Sequence, residues 1–238
     1  MTRYAIALCL TLCAPALQAD SADEVTAERF PDADSALVDC RSSIEYAPDG
    51  TYRRTDEQWV KVLTDKGRRE ESELSLSYSA RYGAARILSV GIIGTNGVER
   101  AVDFAATTKE STDNRSMNEN IYDPMDRRIR CAVPGLQVGE TIRFKTERST
   151  FKSRIEGQWA DVEVMEWDVP FVRASVEVWA PKELPLKWAV VRNPLGNVVS
   201  SERPLGDGSV LHVWTVTNSP QAFPEPDMPP LYTQVQNL

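Results

Sequence analysis

Few residues in this sequence could act as a nucleophile, a base or a soft metal ligand. It holds four cysteines and a single histidine. Cys40 stands in the row Val38, Cys40, Ile44, and Cys131 in the row Ile129, Cys131, Val133. Both rows alternate as half-buried strands do. Three chemistries fit such a pair: a disulfide, two separate buried thiols, or a thiolate nucleophile with a base beside it. The favoured expectation is a Cys40–Cys131 disulfide, which would close a long loop and stabilise by about 4 kcal/mol. The nucleophile reading needs an oriented base, and only His212 is available. That histidine lies in "SVLHVWTV", in step with Val210, Trp214 and Val216, so it reads as a packed strand residue.

Other reactive patterns are absent from the sequence. There is no Gly-rich phosphate loop, no His-Glu-x-x-His, no Cys-x-x-Cys and no Gly-x-Ser-x-Gly elbow. One histidine is too few for most zinc sites. Asp103, Asp123 and Asp126 lack calcium-loop spacing and read as surface acids. Asn114 in "NRS" matches a glycosylation acceptor by pattern alone. No catalytic set, metal or cofactor is therefore expected. The formal net charge is −8. The short basic stretches "KGRR" and "DRRIR" are flanked by acids, so a nucleic-acid partner is not expected either.

The elements that would position these residues begin after a leader. Arg3 is followed by an apolar run from Tyr4 to Leu17, and "ALQA" ends at Ala19 as a small-residue cleavage site. Residues 1–19 thus read as a secretory signal peptide, which takes Cys9 and Cys13 with it. The run is too short to span a bilayer. The remaining chain is expected to be exported, to the periplasm, the cell surface or the medium. Two thiols in an oxidising compartment add weight to the disulfide.

Residues 20–36 are acidic and small, and read as a disordered lead-in. From there, strand patterns dominate. "ELSLSY" sets Leu74, Leu76 and Tyr78 against Glu73, Ser75 and Ser77. "RASVEVWA" sets Ala174, Val176, Val178 and Ala180 against Arg173, Ser175, Glu177 and Trp179. "QWVKVL", "ADVEVMEWDVP", "LKWAVVRN" and "SVLHVWTVTN" read as further strands, with turns at "PDG" and "TNG". Residues 107–120 read as an irregular loop that carries a short helix or an insertion. The expectation is an all-β chain, an antiparallel sandwich with few or no helices beyond the leader, over 37–222. Residues 223–238, "FPEPDMPPLYTQVQNL", read as a Pro-rich linker.

Five stretches in order carry a resemblance: "IEYAPDGTYRRTDEQWVKVLTDKGRRE", "ILSVGIIGTNGVE", "CAVPGLQVGETIRFK", "VPFVRASVEVWAPKELPLKW" and "HVWTVTNSPQAFPEPDMPPL". They run from about Ala36 to Leu231. Their order resembles the bacterial domain of unknown function 3857, the N-terminal β domain of exported transglutaminase-like proteins. In that family the Pro-rich exit leads into a papain-like domain with a Cys, His and Asp triad. No residue here matches that triad.

The resemblance implies a non-catalytic module that positions peptide or protein substrate. Its partner would be a transglutaminase-like domain, in cis or in trans. A second expectation is a free-standing peptide- or glycan-binding protein, with Trp159, Trp179 and Tyr122 as an aromatic platform. A third is an enzyme that uses Cys40 or Cys131 with His212.

Overall fold

The computed structural model describes residues 24–114, 122–187 and 192–238. The signal-peptide reading falls outside them, as does half of the strand expected over "LKWAVVRN".

Two long strands, β1 (Ser35–Tyr46) and β2 (Tyr52–Val62), form a hairpin around the predicted Asp49–Gly50 turn. The Asp49 carboxylate accepts from the Thr51 amide at 2.9 Å, and Gly50 holds φ +84°. The chain then makes a six-residue helix, α1 (Asp65–Glu70), just after the strand expected over "QWVKVL". Thr64 caps it, its hydroxyl accepting from the Gly67 amide at 3.1 Å. Strands β3 (Glu73–Ser79), β4 (Gly83–Ile93) and β5 (Glu99–Ala101) follow. The β4–β5 hairpin turns on Asn96–Gly97, with Gly97 at φ +76°. A four-residue helix, α2 (Phe104–Thr107), ends where the predicted irregular stretch begins; within that stretch the described residues form β6 (Thr108–Thr112), and residues 115–120 lie outside the description. The chain closes with β7 (Asp126–Ala132), β8 (Thr141–Thr150), β9 (Phe171–Ala180), β10 (Val198–Pro204) and β11 (Val210–Ser219).

Eight strands build one large sheet, in the order β10-β11-β9-β1-β2-β8-β4-β5. The others build a small sheet, β3-β7-β6. The fold is the expected β architecture in two sheets. Pairing is antiparallel except between β1 and β9, which run parallel. That parallel pair requires a crossover, because β9 enters the sheet from the loop over 151–170 and not from a hairpin.

The small sheet covers half of the large sheet's inner face. Leu74 and Leu76 of β3 and Ile129 and Cys131 of β7 meet Ile87, Val90, Ile92 and Ile142 there. The other half, with Ile44, Val176, Val178, Trp214 and Val216, is covered by irregular chain that contributes Met165, Trp159, Leu184 and Leu238. "ADVEVMEWDVP" is accordingly not a ladder strand. It crosses the sheet face and makes one isolated bridge, Val164 to Asn237. Period-2 alternation marks this segment's half-buried state without placing it in a sheet.

Both ends of the described chain pack more tightly than the sequence suggests. In the lead-in, Val25, Ala33 and Ala36 are buried with Val38, Leu63 and Val172 in a third cluster on the outer face. The bulge at Val38 supplies part of this cluster, for it turns Val38 away from the face that carries Cys40. In the Pro-rich tail, Val235, Gln236 and Asn237 are buried. The Met165 amide donates to the Gln236 carbonyl at 2.9 Å, and the Leu238 amide to the Glu163 carbonyl at 2.9 Å. Residues 235–238 are thus docked against the crossover loop that covers the sheet.

The β1–β2 turn is pressed against the crossover loop. A Cβ on Gly50 would lie 2.2 Å from the Gln158 carbonyl oxygen, whereas one on Gly97 would meet nothing within 4 Å. Both have positive φ, so the two positions separate backbone strain from lost space. We expect Gly97→Ala to cost about 1 kcal/mol and Gly50→Ala about 2–4 kcal/mol, read as a drop in the urea midpoint at constant m. Equal losses would show that the Gly50 contact does not hold the turn against the loop.

Candidate functional site

The middle strip of the inner face, between the two apolar clusters, is polar. In a strand, alternate residues share a face, so Tyr52, Arg54, Asp56, Gln58 and Val60 of β2 point together. Beside them stand Ser42 of β1 and Arg148 of β8, in register with Asp56 and Arg54 respectively. Asp56 is 4% exposed. Its carboxylate accepts from Ser42 Oγ at 2.7 Å, Arg54 Nε at 2.8 Å and Arg148 at 3.1 Å.

Arg54 also reaches up to the crossover loop. Its guanidinium bonds Glu163 through both terminal nitrogens, the second at 3.1 Å, and Asp161 at 3.2 Å. Two guanidiniums therefore face three carboxylates. Burial works against the Arg54 charge, yet Glu163 and Asp56 outweigh it and hold its pKa above the ordinary arginine value. Burial lifts the Glu163 carboxyl above the ordinary range, with Arg54 pulling the other way.

Next to this cluster lies a cavity of about 480 Å³, lined in part by Cys40, Ser42, Arg54, Glu163, Trp167 and Asp168. Cys40 is half-buried there. Burial and the nearby Asp56 carboxylate push its thiol up to about 12. A thiol so placed stays protonated near neutrality and is a poor nucleophile.

Cys131 lies elsewhere. It is wholly buried in β7 within the second cluster, with Thr107 Oγ1 at 3.5 Å from its sulfur. Both cysteines are free thiols, which corrects the disulfide expectation. The strands explain why. Cys40 sits beside Gln58 and Ala174 in the large sheet, Cys131 beside Leu74 and Thr108 in the small one. The alternating rows identified two inward-facing thiols but not which core each faces.

His212 is 6% exposed on the inner face, as its row implied. Its ring stacks on Trp214 with centroids 5.8 Å apart, and its Nδ1 lies 3.3 Å from a Glu202 carboxylate oxygen. Along β9, His212 is level with Val178 and Cys40 with Ala174. Four residues of strand separate them, about 13 Å, before the lateral offset is added. His212 cannot serve as base to Cys40.

The three aromatic candidates are not brought together. Trp159 is half-buried and stacked on Tyr46, with centroids 4.7 Å apart and planes 9° from parallel. Trp179 is half-buried on the outer face of β9. Tyr122 is 62% exposed, in the loop before β7. No shared platform results.

The sequence reading missed Arg54, Asp56, Arg148, Asp161 and Glu163. A signal for the first two was present: Arg54 and Asp56 interrupt an inward row between Tyr52 and Val60. Nothing in the sequence pairs them with Glu163, 109 positions from Arg54. In the basic "DRRIR" stretch, Arg127 bonds Glu110 and Arg128 bonds Asp113.

Two measurements check this description. In a protein that begins at Asp20, thiol titration in denaturant without reductant should count two thiols; a count of none would restore the disulfide. Replacing Arg54 by Met leaves Asp56 and Glu163 buried without their shared cation. We expect a loss of about 3–5 kcal/mol in urea unfolding, with proteolysis starting in residues 155–170. A loss below about 1 kcal/mol would mean that Arg54 does not anchor the loop.

The fold is similar to known structures. The "putative protease" of Parabacteroides distasonis ATCC 8503 superposes with a TM-score of 0.69 at 17% identity, over 82% of this chain and 38% of that one. The chain thus spans well under half of that protein's length. Leukotriene A4 hydrolase from Saccharomyces cerevisiae gives 0.36 at 12% identity, over 77% of this chain and 29% of that one. A family 3a carbohydrate binding module from Clostridium thermocellum gives 0.26 at 12%, over 47% and 74%. Scores so low carry no argument. No curated protein sequence matches. A family model, "Domain of Unknown Function with solved-structure structure (DUF3857)", matches residues 48–223, from the Asp49–Gly50 turn to the start of the Pro-rich tail. With most of its length matched, the chain belongs to the family of the domain of unknown function 3857.

Proposed function

We propose that this chain is a non-catalytic, exported β module that works beside a transglutaminase-like or papain-like domain and presents peptide substrate to it. One observation carries the reading. Nearly the whole fold is similar to a minor part, 38%, of a larger protein named as a protease. A module that makes up so little of a longer chain fits an accessory role.

Site chemistry supports the same reading. The Cys40 thiol is held protonated by its surroundings, and His212 is packed between strands with Glu202 as its neighbour. The Arg54 cluster is built from mutually satisfied groups, as a structural network is. The tail packs beside Glu163, so a domain connected through it in cis would be held close to the large sheet. A free-standing binding role has one observation in its favour, that Trp159 lines a cavity and is not buried in a closed core.

Reading the coding frame past codon 238, together with affinity capture from the exported fraction of the source cells, tests the proposal. We expect a domain with a Cys, His and Asp set, either in frame or among the captured proteins. The purified chain should show no peptide hydrolysis or transamidation. Activity in the isolated chain that disappears with His212→Gln would overturn the proposal, as would the absence of such a domain in both searches.

A further inference from the structure

A second cavity, of about 450 Å³, opens where the β1–β2 hairpin, the start of β4 and the end of β3 come together. Its size is that of a small-ligand pocket. Tyr52, Tyr78, Tyr82 and Trp159 supply aromatic walls. Arg148, Lys152 and Arg154 supply cations, and no Asp or Glu lines it. In a chain of net charge −8, that is a local reversal of sign.

The cations differ in how far they are committed. Arg148 is held by Asp56 at 3.1 Å. Lys152 and Arg154 have no ion pair among the described residues. Arg154 rests over the Tyr82 ring at 5.0 Å, and the Phe151 and Lys152 amides both donate to the Tyr82 carbonyl, at 3.0 and 3.2 Å. Tyr82 therefore fixes the start of the irregular segment after β8 that carries both cations. At the rim, Ile155 is 61% exposed.

The wall opposite belongs to an edge strand. β3 lies at the end of the small sheet, and its Ser77, Tyr78 and Ser79 line the cavity. An edge strand can pair with an extended chain through main-chain hydrogen bonds.

From these features we infer that the cavity binds an extended acidic peptide segment. Its backbone runs along β3, its carboxylates meet Lys152 and Arg154, and an apolar neighbour packs on Ile155 and the tyrosines. This deepens the presenting role proposed above and rests on it for its biological meaning.

Calorimetry with the chain tests it, with a capped pentapeptide alternating valine and glutamate as probe. Controls are the glutamine version of that peptide, inorganic phosphate and a glucuronate-bearing oligosaccharide. Amide NMR shifts locate the binding surface. We expect the glutamate peptide to bind at least tenfold more tightly than the glutamine peptide and to weaken as salt rises. The double variant Lys152→Ala/Arg154→Ala should lose about tenfold in affinity with an unchanged urea midpoint, since both side chains are exposed. Equal binding of the two peptides, an unaffected double variant, or tighter binding of phosphate or the oligosaccharide overturns the inference. Peptide binding with shifts only at another surface overturns the site but leaves the presenting role standing. No peptide binding at millimolar concentration removes both.

Discussion

A buried arginine must be surrounded by acceptors, and Arg54 meets that demand in a way that organises the inner face. Its guanidinium is shared between Asp56 on its own strand and Glu163 and Asp161 on the crossover loop. The large sheet has too little second sheet to cover it: β3, β7 and β6 reach only one half. The other half depends on irregular chain, which has few ladder hydrogen bonds of its own. Arg54 supplies the attachment. Through Glu163 and its neighbours the same attachment extends to the tail, whose backbone pairs with residues 163 and 165. An apolar contact could bury similar area, but it would leave the loop's register open. Paired charges in a low-dielectric setting hold one geometry, because every other one strands a charge.

That arrangement also bears on chemistry. Cys40 faces the cluster, and Asp56 helps to keep its thiol protonated. The carboxylates that stabilise Arg54 therefore oppose a thiolate beside them. His212, the other candidate, lies four residues along β9 from the level of Cys40. The polar strip reads as scaffold. The features suited to ligands lie at its end, where the hairpin turn, Tyr82 and β3 leave a cavity lined with cations.

Much of the fold was legible because it rests on local rules. The Asp49–Gly50 and Asn96–Gly97 turns lie where their residue types require. The inward rows Leu74–Leu76, Ile129–Cys131–Val133 and Ala174–Val176–Val178–Ala180 are buried as alternation implied. Helix α1 was missed because six residues are too few to show a period, and its cap at Thr64 looked like part of a turn. The packing of the lead-in was not legible because its acidic residues mask Val25, Ala33 and Ala36, which are buried with Val38, Leu63 and Val172. The docking of Val235, Gln236 and Asn237 was not legible in the Pro-rich tail, because proline marks where a segment cannot pair, not where its remaining residues dock.

The amino-acid order by itself determined most of the strands, the two Asx-Gly turns between them, and that two thiols and a histidine point inward. These follow from side-chain periodicity and from glycine's access to positive φ, both settled within a few residues. Tertiary structure alone decided that the two thiols face separate cores, that β1 runs parallel to β9, and that Arg54 meets Glu163. It alone placed Lys152 and Arg154 across a cavity from β3. Each of these joins residues far apart in the chain, and their energies depend on distance, burial and the charges nearby, none of which a linear pattern encodes.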